Sequence, residues 1–135
     1  MSNLKACSIY IVRLYFSGND HALKFTEALL ACYNASKSAG QPLGLTTFIL
    51  GRSRQENEGA KALAKVFKLM GTLEEVVMPQ NGIYHEGIEA LTDAFTSNPN
   101  LRILNMNDNT LTERGAAHMA KALPKLQKLE VRLIK

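Results

Sequence analysis

Apolar residues recur along this chain in columns 28 residues apart. Leu45, Leu73 and Leu101 form one column, Leu63, Leu91 and Met119 a second, and Phe67, Phe95 and Leu123 a third. Two further columns keep the same register: the glycines Gly59, Gly87 and Gly115, and the polar residues Ser53, Asn81 and Asn109. Coincidence does not place five columns in one register, so the chain is built from repeats. Each unit opens with apolar residues at its first, fourth and sixth positions: Leu45, Phe48 and Leu50, then Leu73, Val76 and Met78, then Leu101, Leu104 and Met106. That spacing predicts a short strand pairing with its copies in a parallel sheet at about 4.8 Å. Past the polar column the spacing turns helical. Ala60, Leu63, Ala64 and Phe67 share one stripe, Ile88, Leu91 and Phe95 another, the latter within a helix over 86–95, and Ala116, Met119, Ala120 and Leu123 a third.

The pattern is L-x-x-L-x-L-x-x-N-x-L, the leucine-rich repeat in its long, strand–helix form. The expected fold is α/β, a ribonuclease-inhibitor-like horseshoe with the parallel sheet on its concave face and helices on its convex face. One domain over 1–135 is expected, with clear repeats at 45–72, 73–100 and 101–128, an atypical unit at 9–44 and an incomplete one at 129–135. In the atypical unit, Ile11, Leu14 and Phe16 read as the inward residues of a strand and 17–20 as its turn. A helix over 21–34 would follow, burying Leu23, Phe25, Ala28, Leu29 and Cys32, and then a loop over 35–43. In the last unit Arg132 takes the fourth, apolar position. Either the strand shifts so that Leu129, Val131 and Leu133 face inward, or this edge is irregular. The open ends of such a stack invite self-association.

Composition narrows the classes. The chain has 135 residues, 46% hydrophobic and 21% charged, with two cysteines, Cys7 and Cys32. That suits one globular domain of the reducing cytosol or nucleus rather than a disulfide-built secreted module. The apolar run 7–16 is interrupted by Arg13 and is too short to span a bilayer. The net charge of +4 is spread over both ends of the chain, there is no tryptophan, and no aromatic accompanies the C-terminal lysines. Neither a membrane nor a nucleic acid is therefore an expected partner. His21, His85 and His118 are dispersed without a ligand pattern, so no metal is expected. No Walker sequence, dinucleotide fingerprint or nucleophile elbow occurs, so no cofactor is expected either. On these grounds the chain reads as having no active site of its own, that is, as not an enzyme.

Three segments carry a family resemblance: GRSRQENEG at 51–59, GTLEEVVMPQNGI at 71–83 and LNMNDN at 104–109. With the helix and loop of 28–43 they resemble the leucine-rich repeat domain of the Ran GTPase-activating proteins, over about residues 28–128. The specific signal lies in Arg52, Arg54, Glu56, Pro79, Gln80 and Asp108, which the repeat itself does not require. The resemblance implies a protein that accelerates GTP hydrolysis by Ran in nucleocytoplasmic transport. It implies Ran in its GTP form as partner and a cytoplasmic location that extends to the nuclear envelope. It further implies that Ran supplies the nucleotide site and a glutamine, which an asparagine of the activator orients. The family's asparagine turn is not matched at 13–20, where Asn19 is the nearest candidate, so stimulation is expected to be weakened or lost. Arg52, Arg54, Gln80, Asn107 and Asp108 are the candidate partner-binding residues, and Ser53, Asn81 and Asn109 the structural turn residues. The alternative is a non-catalytic leucine-rich repeat module that binds a partner through the same surface.

Overall fold

A computed structural model describes residues 11–14 and 19–135, with side chains from residue 23 onward. Strand and helix alternate: β1 (Ile11–Leu14), α1 (Asn19–Ser38), β2 (Thr47–Leu50), α2 (Glu56–Met70), β3 (Glu75–Val77), α3 (His85–Thr96), β4 (Ile103–Asn105), α4 (Thr112–Ala122) and β5 (Val131–Leu133). The strands form one parallel sheet in chain order, β1 to β5. Its register joins residues 28 apart across β2 to β5, with Phe48 beside Val76, Val76 beside Leu104 and Leu104 beside Arg132. The fold is α/β and compatible with a leucine-rich repeat.

The core lies between the sheet and the helices. Phe48, Phe67, Phe95, Leu63, Leu91, Val76, Met78 and Leu104 are all buried there. Phe48 and Phe67 meet edge to face with centroids 5.0 Å apart, and each ring taken from water contributes about 2–3 kcal/mol. No helix can bury its stripe alone, so each rests on the strand beside it and on the next helix in the stack.

Two glycines show how close the stack is. A Cβ on Gly87 would stand 2.6 Å from Ile83 Cγ2 and 3.0 Å from Ala60 Cβ on the preceding helix. Gly71 caps α2 in the left-handed conformation, φ 67°, donating its N–H to the Phe67 carbonyl. On their outer faces the helices are tied by Lys61–Glu86, Glu89–Arg114 and Asp93–His118. Arg114 donates two bonds to the Glu89 carboxylate at 2.7 and 3.0 Å. This forked bond holds the Glu89 carboxyl below its ordinary range and raises the Arg114 guanidinium above its own.

The end units depart from the sequence reading. Helix α1 runs over Asn19–Ser38 rather than 21–34 and takes in the first residues of the expected loop. Its buried stripe is Thr26, Leu29, Tyr33 and Ser36, while Ala28 is exposed and Leu23, Phe25 and Cys32 are half-buried. Polar residues displace apolar ones there because each finds a bond. Ser36 donates to the Tyr33 carbonyl and accepts from Leu43 N–H, and Tyr33 reaches the Leu69 carbonyl. Cys7, Phe16, the residues 17 and 18 of the expected turn, and the inward placement of Ile11 and Leu14 lie outside the described residues. At the other end the alternative of a shifted strand is not adopted. β5 keeps the register, so Arg132 stands in the column of Phe48, Val76 and Leu104, and Val131 and Leu133 are exposed. The repeat register keeps the backbone ladder: Met106 N–H donates to the Leu133 carbonyl, and the Glu130 and Val131 N–H groups donate to the Arg102 carbonyl.

Candidate partner-binding surface

Each strand must hand its chain to a helix through a sharp turn, and the turns after β2, β3 and β4 do this in the same way. Arg52, Gln80 and Asp108, one residue per turn, have φ values of 54°, 55° and 60°. Left-handed backbone costs a side-chain-bearing residue about 1 kcal/mol or more. Glycine would fit there without strain, yet the chain places an arginine, a glutamine and an aspartate in one row. The backbone ladder carries on through them. Arg52 N–H donates to the Pro79 carbonyl, Gln80 N–H to the Asn107 carbonyl and Asp108 N–H to the Lys135 carbonyl, each at 3.0 Å. At sheet spacing the row spans about 10 Å from Arg52 to Asp108. All three side chains are exposed, and Arg52 Nε donates to Gln80 Oε1, so the guanidinium is held rather than free.

Behind the row, the polar column braces neighbouring turns. Asn109 Oδ1 accepts from Asn81 N–H at 3.0 Å and from Ile83 N–H at 3.3 Å, and its Nδ2 donates to the Met78 carbonyl at 2.9 Å and the Met106 carbonyl at 3.1 Å. Asn81 repeats this one unit earlier, accepting from Ser53 N–H at 2.9 Å and donating to the Leu50 carbonyl at 2.7 Å. The Ser53 hydroxyl donates to the Gly51 carbonyl in its own turn. Asn81, Ser53 and Asn109 are buried.

Beside the row opens a polar hollow of about 590 Å³, lined by Arg54, Glu56, Asn57, Glu58, Asn81, Gly82 and Tyr84. Arg54 and Glu56 also lie in the left-handed region, at φ 46° and 53°. Arg52, Arg54, Gln80 and Asp108 thus share one exposed surface. Asn107 is half-buried among them: its N–H bonds to Asn105 Oδ1, and its own Oδ1 is buried without a partner among the described residues. Asn19 opens α1, and its side chain lies outside the described residues.

Two bracing residues escaped the sequence reading. Asn57 Oδ1 accepts from Tyr84 N–H at 2.9 Å and Gly87 N–H at 3.2 Å, tying α2 to the start of α3. Asn98 accepts from Leu73 N–H and donates to the Phe67 and Ala94 carbonyls. Neither belongs to a repeated column, since His85 and Glu113 follow Asn57 at the 28-residue interval, so periodicity held no signal for them. Among the described residues no group of three or more His, Cys, Asp or Glu is placed to hold a metal, and no helix is long and apolar enough to cross a membrane.

No protein-family model matches the chain. Individual proteins do. Over 56 residues it is 59% identical to the Ran GTPase-activating protein 1 of Xenopus laevis, a match covering 42% of this chain and 10% of that protein. Over 86 residues it is 46% identical to the Ran GTPase-activating protein of Drosophila melanogaster, covering 64% and 14%. Over 100 residues it is 39% identical to the Ran GTPase-activating protein 1 of Saccharomyces cerevisiae, covering 73% and 24%. The chain has a partial relationship to the Ran GTPase-activating proteins. The matched part is at most about a quarter of these relatives' length. The expectation that the chain is not an enzyme, only a GTPase-activating accessory without an active site of its own, is contradicted by these relatives. Ran GTPase-activating proteins stimulate GTP hydrolysis, an enzyme-like activity. Nucleotide and nucleophile signatures do not report such an activity, because the stimulated GTPase itself supplies the nucleotide site.

Proposed function

We propose that this chain docks on Ran in its GTP form through the row Arg52, Gln80 and Asp108 and the adjoining Arg54, and stimulates Ran's GTP hydrolysis. The observation that supports this reading is the row itself: three strained, exposed, chemically different side chains at one repeat position, where the fold alone asks for none of them. Its polarity runs from a guanidinium at one end to a carboxylate at the other, which suits a partner surface of the opposite order. A partner carboxylate would meet Arg52 and Arg54, and a partner cation would meet Asp108. Such a surface accelerates encounter and fixes orientation, which an activator needs to order a catalytic group that belongs to its partner.

The rest of the reading follows the same resemblance. The stacked units curve as a leucine-rich repeat horseshoe with the sheet on the inner face. Stimulation is weaker than that of a full activator, because the asparagine turn has no match at 13–20. The chain works in the cytoplasm, including the nuclear envelope, as part of nucleocytoplasmic transport. Binding of the chain to Ran loaded with a non-hydrolysable GTP analogue, compared with Ran loaded with GDP, tests the proposal. Preference for the GTP form, lost in Arg52→Glu and Asp108→Lys, is the expected result. Equal binding of both forms, or none by a folded sample, refutes it. Grafting a family-type asparagine turn over 13–20 should raise the hydrolysis rate; a graft without effect would leave the non-catalytic interaction module as the reading.

A further inference from the structure

On the face turned away from the sheet, side chains of neighbouring helices pair at an interval of 25 residues: Lys61 with Glu86, Arg114 with Glu89 and His118 with Asp93. Between α3 and α4 this ladder runs on from Glu89 to Asp93. Carried along α2, the same interval sets Lys65 opposite Ala90, and Lys68 opposite Asp93, which His118 already holds at 2.7 Å. Helix α3 has the carboxylates Glu86, Glu89 and Asp93, and each is engaged. Lys65 and Lys68 are exposed and make no ion pair among the described residues.

Where the ladder breaks, a groove of about 340 Å³ opens between α2 and α3, floored by Ala64, Ala90 and Ala94 and rimmed by Lys61, Lys65 and Lys68, with Asp93 at its border. Ala64 and Ala94 are buried and Ala90 is half-buried, so the floor is apolar. Methyl side chains at all three positions let another chain approach both helices closely. The lysines fall at i, i+4 and i+7 on one face of α2, with a rise of about 10 Å from first to last. Helix α1 packs on α2 and α4 on α3, so the groove lies inside the stack rather than at its ends. A basic rim over an apolar floor suits an occupant that brings both carboxylates and an aliphatic side chain. A nucleic acid supplies the charge and nothing for the floor, and no aromatic side chain among the described residues lines the groove to stack a base. A flat lipid surface would touch the rim and leave the floor empty. A helix meets both demands, because its residues three and four apart share one face.

We propose that the groove between α2 and α3 receives an acidic amphipathic helix of a partner protein, its core a leucine followed four and seven residues later by glutamates. The leucine rests on Ala64, Ala90 and Ala94. The glutamates, three residues apart, pair with Lys65 and Lys68, which are also three apart. Anchors at i, i+4 and i+7 are the pattern of a helix held in a groove. This site lies on the helices, apart from the row on the turns, and does not depend on Ran.

The test uses the full chain and labelled peptides of about sixteen residues, long enough to hold a helix. One peptide carries Leu-x-x-x-Glu-x-x-Glu, one has glutamine for both glutamates, and one has serine for the leucine. By fluorescence anisotropy the first should bind at least about tenfold tighter than either of the others. Ala90→Glu fills the floor and gives Lys65 the carboxylate that the ladder lacks. It should weaken the first peptide at least about tenfold while leaving the melting temperature unchanged or raised. Lys65→Glu/Lys68→Glu alters two exposed side chains and should reverse the preference toward a peptide with lysines in place of the glutamates. Unchanged circular dichroism shows that each variant is folded. Indistinguishable binding of the three peptides, or none up to about millimolar concentration, overturns the proposal. So does binding of the first peptide that survives either folded variant. Tighter binding to anionic vesicles or to a duplex oligonucleotide, or a dimer in sedimentation velocity that Lys65→Glu/Lys68→Glu dissolves, also overturns it, because the occupant would then be another.

Discussion

Replacing Asn109 by alanine removes the side chain that joins two successive turns. Two buried donors, Asn81 N–H and Ile83 N–H, lose their acceptor, and the Met78 and Met106 carbonyls lose a donor. A buried N–H left without a partner costs about 1–3 kcal/mol. Asn109 is 8% exposed, so water reaches its site in part and relieves some of that penalty. We expect Asn109→Ala to lower stability by about 3–5 kcal/mol, a large fraction of the 5–15 kcal/mol typical of a domain. Asn81→Ala orphans one donor and one acceptor and should cost about 2–4 kcal/mol. Ser53→Ala loses one bond within its own turn and should cost about 0.5–1.5 kcal/mol. Equilibrium urea unfolding followed by circular dichroism gives the three values, and an unchanged m-value shows that the same surface is exposed in each variant. A cost below about 1 kcal/mol for Asn109→Ala, or a Ser53→Ala cost equal to it, would refute the reasoning.

The remaining predictions concern the stack, its charges and the row. Gly87→Ala should lower the melting temperature by an amount equivalent to about 1–3 kcal/mol, since its Cβ meets Ile83 and Ala60. Gly115→Ala should be near neutral, because the gain in helix propensity offsets a tight 3.3 Å approach of its Cβ to His85 Cα. Glu89 has a depressed pKa in the folded chain, so its contribution to stability is present above the ordinary carboxylate value of about 4.3 and is lost as pH falls through the lower folded value. Carboxyl titration by NMR should show Glu89 returning to its ordinary range in Arg114→Ala. Gln80→Ala should weaken Ran binding about two- to tenfold, because it releases the held Arg52 guanidinium. Unchanged affinity would show that Arg52 does not dock in this posture.

Much of the architecture was legible because repetition writes it several times over. Phe48, Val76 and Leu104 could be assigned to one buried column without any knowledge of the sheet, since each confirmed the others. Where only one copy exists, strand, helix and the buried Leu29 were still legible, but the rest of the helix stripe was not. The α1 stripe was placed on Leu23, Phe25, Ala28, Leu29 and Cys32 by apolarity alone, whereas Thr26 and Ser36 are buried, Ser36 by satisfying its hydroxyl locally. No sequence pattern disclosed that the Asn98 amide spans three backbone groups. The row of Arg52, Gln80 and Asp108 stood out in sequence as residues the repeat did not require. That they share a left-handed backbone, and that Arg52 rests on Gln80, is a matter of dihedral angles and side-chain reach that a sequence column does not express.

The central claim is that this surface engages Ran productively, and single-turnover hydrolysis by GTP-loaded Ran tests it most directly. The folded chain should accelerate the reaction, less than an intact Ran GTPase-activating protein does, and the double variant Arg52→Glu/Asp108→Lys should return it to the rate of Ran alone. No acceleration by a sample shown to be folded, or acceleration that the double variant leaves untouched, would contradict the account.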